Sequence, residues 1–97
     1  MAHLIETLRQ HKAEILVIAR QYHADNIRLF GSVARRDERL DSDVDLLVDF
    51  LPGSTLFDQI GLIESLSKKL GRKVDVISSR ALNRHLAQTI QQEAVEL

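Results

Sequence analysis

An α/β fold in the order αβαβαβα is what this 97-residue chain predicts, with a small sheet of three short strands and helices packed against it. Three observations carry that prediction. Residues 43–50 alternate apolar and polar side chains with the period of a half-buried strand, and shorter runs at 26–30 and 72–77 read the same way. The stretches between repeat apolar residues at helical spacing. Gly31, the Pro52-Gly53-Ser54 run and Gly71 fall at the junctions.

Along the chain, Leu4, Leu8, Ile15, Leu16, Ala19 and Tyr22 recur at helical spacing and predict one N-terminal helix with a buried face. Residues 26–30 form a strand that runs straight into Gly31-Ser32, and Val33-Ala34-Arg35-Arg36 begins a short helix. A polar loop, residues 37–42, leads into the strand 43–50. There Val44, Leu46, Val48 and Phe50 share one side and Asp43, Asp45, Leu47 and Asp49 the other. After Pro52-Gly53, Ser54 is placed to cap a helix with the apolar stripe Leu56, Phe57, Ile60, Ile63, Leu66 and Leu70. Lys68 and Lys69 suit its negative end, and Gly71 stands as its stop. In the third strand Val74 and Val76 face the core, and Asp75 points the other way with Lys73 and Ile77. Ser78 or Ser79 can cap a last helix with Leu82, Leu86, Ile90 and Ala94 in register. No repeat, linker or low-complexity tract interrupts the chain, which reads as one domain, 1–97.

Asp43 and Asp45 project from one strand face with Cα atoms roughly 6.6 Å apart, so oxygens of both can converge on the same ions. Like charges held that close raise each other's pKa and cost stability without a cation. Mg²⁺ prefers one or two carboxylates together with substrate phosphate oxygens, which fits a metal delivered with a nucleotide. An isolated Asp-x-Asp is more often a solvated strand face. Here the preceding element adds to it. A glycine at a strand–helix junction lets the backbone approach a ligand closely. The amides that follow and the Ser32 hydroxyl then favour phosphate.

Composition excludes several classes. With no cysteine the chain has no disulfide, no thiolate zinc site and no thiol nucleophile, which suits a reducing, cytoplasmic setting. No apolar run reaches the ~20 residues of a membrane span, and the start of the chain lacks a basic lead into a long apolar core. A net charge of −1 argues against extensive nucleic-acid binding. Arg35, Arg36, Arg39, Arg80 and Arg84 remain as groups for a triphosphate or for the acidic surface of a partner, or as plain surface charge. His3, His11, His23 and His85 form no metal-binding pair, and Tyr22 suits packing at a helix end.

Taken together, Gly31-Ser32-Val33-Ala34-Arg35 and Ser42-Asp43-Val44-Asp45-Leu46-Leu47-Val48 resemble the signature of the minimal nucleotidyltransferases, small members of the DNA polymerase β superfamily. Arg72-Lys73-Val74-Asp75-Val76-Ile77 resembles that family's third acidic strand, and the closing helix from Ile90 to Ala94 fits as well, so the resemblance spans essentially the whole chain. It implies a palm-like fold with a mixed sheet. Asp43, Asp45 and Asp75 would be catalytic residues and ligands of two Mg²⁺ ions. Gly31 and Ser32, with Arg35, would bind the phosphates of ATP. The family commonly has Gly where this chain has Arg36, which must close the turn after the short helix without a glycine's freedom.

The resemblance is to the antitoxin members, which are paired with HEPN-domain ribonuclease toxins (higher eukaryotes and prokaryotes nucleotide-binding) and transfer AMP to a toxin tyrosine. It implies an antitoxin acting as a protein adenylyltransferase, with a cognate HEPN toxin as partner. Two other classes stay open: a transferase on a small hydroxyl compound or an RNA end, and a non-catalytic binding antitoxin.

Overall fold

The computed structural model describes residues 3–82 and 84–97, and the side chains of Arg84, His85 and Leu86 lie outside the described residues. Two helices, α1 (Leu4–Gln10) and α2 (Lys12–Gln21), stand where the spacing predicts one. The polar pair His11 and Lys12 occupies the turn where the stripe from Leu8 to Ile15 would continue. There the chain tightens, with the His11 N–H bonded to the Leu8 carbonyl at 3.1 Å. The break lets Ile5 and Leu8 on one side of it, and Ile15 and Ala19 on the other, all reach the core.

Strands β1 (Ala24–Phe30), β2 (Val44–Phe50), β3 (Val74–Ser78) and β4 (Val95–Glu96) form one mixed sheet in the order β3-β2-β1-β4. β2 is antiparallel to β1 and parallel to β3, and β1 is antiparallel to β4. The mixed sheet agrees with expectation, and β4 adds a fourth strand to the three predicted. Two residues carry no readable period. Pairing makes this strand: Leu29 faces Val95, and the Leu97 N–H reaches the Ile27 carbonyl at 3.3 Å. β1 carries a bulge between Asp25 and Arg28, with Asn26 at φ 52. The extra residue puts Ala24 and Ile27, three positions apart, on the same buried face.

Helix α3 (Gly31–Arg35) follows β1 directly, and α4 (Leu56–Leu70) covers the sheet. The cap of α4 is Thr55, not Ser54, because the Asp58 carboxylate, three positions on, accepts the Thr55 N–H at 2.9 Å. The residue three beyond Ser54 is Phe57, which offers no such return. Leu66 of the predicted stripe is buried and Ile63 and Leu70 pack partly buried against the core, but Leu56, Phe57 and Ile60 are exposed and Leu62, outside the stripe, is fully buried instead. At this end of α4 it is Gln59 that faces the sheet, donating to the Val76 carbonyl at 2.8 Å, and that rotation carries Phe57 and Ile60 outward.

The main core lies between α1, α2 and α4 and one face of the sheet, where Leu29, Val44, Leu46, Val48, Val74 and Val76 meet Val33 of α3. The opposite face holds the acids. Leu47 and Ile90 of α5 (Arg84–Glu93) are buried outside that main cluster, so the acid face is partly roofed. Ser78 caps a 3-10 turn, Ser79–Ala81, that lies against β2 before α5 begins.

Candidate active site

Asp45 sits mid-sheet because β2 has a neighbour on both sides. Antiparallel pairing sets it opposite Phe30, the last residue of β1, and parallel pairing sets it opposite Asp75 of β3. The Gly31-Ser32 turn therefore emerges beside Asp45 on one flank while the third acid stands on the other. Asp43 lies just before β2, anchored where the Val44 N–H meets the Lys73 carbonyl at 3.0 Å. Thus Gly31, Asp43, Asp45 and Asp75, distant in sequence, come together at one end of the acid face.

Gly31 has two separate reasons to be glycine. Its φ is +73, and a Cβ built on it would lie 2.5 Å from Asp45 Oδ2. The turn therefore approaches the carboxylate as closely as backbone can. Ser32 is half-buried, and its hydroxyl makes no hydrogen bond among the described residues.

The Asp45 carboxyl is pushed above its ordinary range, first by burial and then by the negative charges of Asp75 and Asp43; Arg35 and Lys73 pull it back in part. Asp75 itself is exposed. Among the described residues no three His, Cys, Asp or Glu side chains close around one point as a ready-made metal cage. The donor set is nonetheless that of a hard cation, oxygen only, crowded with negative charge and open on one side, where phosphate oxygens would complete the coordination. The residues fit Mg²⁺ arriving with a nucleotide.

Asp49 shares the acid face but is committed elsewhere. It accepts from Arg28 at 2.6 Å and from Asn26 at 2.9 Å, and hydrogen bonds from Ser79 and Asn26 with the Arg28 charge outweigh burial to hold its carboxyl below the usual range. Alternation alone gave no means of telling Asp49 from Asp45; cross-strand partners do.

Of the arginines, Arg35 lies close enough to act on Asp45, and its guanidinium bonds Asp37 and Glu93, each at 3.3 Å. Arg36 turns away and pairs with Glu6. It adopts φ 61, ψ 33 at the end of α3, the left-handed conformation for which a glycine is usual. Arg84 lies outside the described side chains. One neighbour escaped the sequence reading: Lys73 Nζ stands 3.8 Å from Asp43 Oδ2. Only the parallel register of β2 and β3 brings it there.

Compared with known proteins, residues 6–97 match the family described as polymerase beta, nucleotidyltransferase. Protein adenylyltransferase MntA of Thermococcus cleftensis is 36% identical over 88 residues, 91% of this chain and 86% of that protein. A solved minimal nucleotidyltransferase structure superposes with a TM-score of 0.85 at 42% identity, covering 95% of this chain and 94% of the other. A chain from the complex of a tri-AMPylated Shewanella oneidensis HEPN toxin with its MNT antitoxin superposes with a TM-score of 0.69. At 20% identity, over 91% of this chain and 69% of that one, this last likeness speaks to the fold alone.

Proposed function

This chain belongs to the polymerase beta nucleotidyltransferase family, and within it we propose that the protein is an antitoxin that transfers AMP from ATP to a tyrosine hydroxyl of a HEPN-domain toxin. The observation that carries the reading is the convergence of Asp45, Asp75 and Gly31, with a Cβ-free approach of the turn to Asp45. The relative named protein adenylyltransferase MntA supports the choice of acceptor class. A HEPN toxin is taken as partner because the chain of this fold in the Shewanella complex is an MNT antitoxin assembled with one.

In this reading Gly31 and Ser32 hold the β and γ phosphates through backbone N–H groups and the hydroxyl, and Arg35 adds charge by exchanging its carboxylate partners for phosphate. Asp43, Asp45 and Asp75 would hold two Mg²⁺ ions, which supply Lewis-acid stabilisation to the triphosphate and acidify the acceptor hydroxyl. Asp75, the exposed acid, accepts the tyrosine proton. The phenolic oxygen then bonds to the α-phosphorus, the bond from that phosphorus to the bridging oxygen breaks, and pyrophosphate leaves.

The test is incubation of purified protein with Mg²⁺, α-phosphate-labelled ATP and a purified cognate HEPN toxin. Label on a toxin tyrosine with wild type, absent with Asp43→Asn or Asp45→Asn, is the expected result. Label in RNA or a small hydroxyl compound would redirect the acceptor assignment. An unlabelled toxin that is still neutralised by the Asn variants would make the protein a binding antitoxin.

A further inference from the structure

Separate from the phosphate turn, a cleft of about 670 Å³ opens between the start of α1 and the loop 37–42, the segment that leads into Asp43. Two chain adjacencies tie it to the reacting centre. Arg72, in its wall, donates to the Ser42 carbonyl at 2.9 Å, and Ser42 precedes Asp43. Arg72 also precedes Lys73, whose Nζ stands beside Asp43. One residue step is about 3.8 Å, so whatever fills the cleft lies within a few residues' reach of the acids.

Its charge is uneven. Glu38 lines it, but one oxygen is spent on the Leu4 N–H at 2.7 Å with His3 at 3.7 Å, and the side chain is only 9% exposed. The cationic groups are less committed: neither Arg39 nor Arg72 has an ion-pair partner among the described residues. Leu40, at the loop tip, is 97% exposed. A loop held in shape, with the Arg39 N–H bonded to Ser42 Oγ at 2.8 Å, thus displays an unpaired cation and a bare leucine a few residues before Asp43.

We infer that this cleft is the docking surface for the acceptor protein, and that it takes an acidic segment with an apolar residue, close in sequence to the modified hydroxyl. The inference rests on the reading of this chain as a protein-modifying transferase. Arg39 and Arg72 pair with the segment's carboxylates, and Leu40 contacts its apolar side chain.

The experiment measures toxin labelling at varied toxin and varied ATP for wild type, Arg39→Glu and Leu40→Asp. Two synthetic tyrosine peptides, one with acidic and one with basic flanks, serve as competitors. Both substitutions lie on an exposed loop outside the nucleotide machinery, and melting curves confirm that the variants fold. The expected result is an apparent KM for toxin raised about tenfold or more, an unchanged KM for ATP, and an acidic-peptide advantage that Arg39→Glu abolishes. Normal toxin KM in both variants, or equal competition by the two peptides, would overturn the docking surface while leaving protein adenylylation intact. A raised ATP KM would overturn it by assigning the cleft to the nucleotide. Failure of wild type to label any protein would defeat the proposed function itself and the docking surface with it.

Discussion

Gly31, which opens α3, and Gly71, which closes α4, share a positive φ, +73 and +66, yet their surroundings differ completely. A Cβ on Gly71 would meet nothing within 4 Å, whereas one on Gly31 would strike Asp45 Oδ2 at 2.5 Å. Gly71 is a helix stop and could be paid for in conformational energy alone. Gly31 is a stop to side chains of any kind, because the space a Cβ needs is where the carboxylate lies. Left-handed geometry by itself therefore does not mark a functional glycine; the neighbour does.

Alanine at each of the two positions should have very different effects. Gly31→Ala is expected to lower nucleotidyl transfer by about a hundredfold, the scale of an ångström-sized displacement at a reacting centre. It should also cost roughly 1–2 kcal/mol of stability from the left-handed backbone. Gly71→Ala should show the conformational cost alone, about 1 kcal/mol, with transfer unchanged. Rate assays with labelled ATP and thermal melting on the same preparations separate the two. Equal losses of activity at both positions would show that the contact with Asp45 is irrelevant.

Much of this contrast was legible beforehand. Alternation in residues 43–50 and the apolar pair Val74 and Val76 placed two strands, and Gly71 marked the end of α4. Motif order links Gly31 with Asp43 and Asp45, while Asp75 joins them only through the family resemblance. What sequence could not supply depends on pairing across the sheet. The two-residue β4 exists only because β1 offers it an edge, and Asp49 differs from Asp45 only because Arg28 and Asn26 reach it. The break at His11 and the rotation of α4 onto Gln59 are likewise tertiary choices among helical faces that local spacing leaves equivalent.

Asp45 forms the other side of the contact with Gly31. Its folded pKa lies above the ordinary value of 3.8, so this group favours the folded state when protonated, and that contribution fades as pH rises through the raised pKa. In the absence of divalent cations, Asp45→Asn should therefore raise the melting temperature at about pH 7, with the gain shrinking toward pH 4 as the wild-type carboxyl takes up its proton. Added Mg²⁺ and nucleotide should narrow the same gap by stabilising wild type. A variant that melts below wild type at neutral pH would show that burial and the Asp75 and Asp43 charges do not strain the site. The carboxylates of Glu38 and Asp49 shift the opposite way, so the wild-type curve also loses stability when acid protonates them; the difference between variant and wild type isolates Asp45.

Arg36 carries the smallest expected effect, as a left-handed position held by a residue other than glycine. It holds φ 61 at the exit of the same short helix that Gly31 enters. Arg36→Gly should relieve about 1 kcal/mol of backbone cost. The loss of the exposed pair with Glu6 offsets part of that gain. Transfer should stay within about twofold of wild type, since Arg36 points to α1 and not to the acids. The discriminating partner is Glu6→Gln, which removes the pair and keeps the backbone. If Arg36→Gly stabilises and Glu6→Gln does not, the arginine is retained at a conformational cost. If both destabilise, the tie between α3 and α1 outweighs the turn, and the arginine is what fixes the exit of α3 in place.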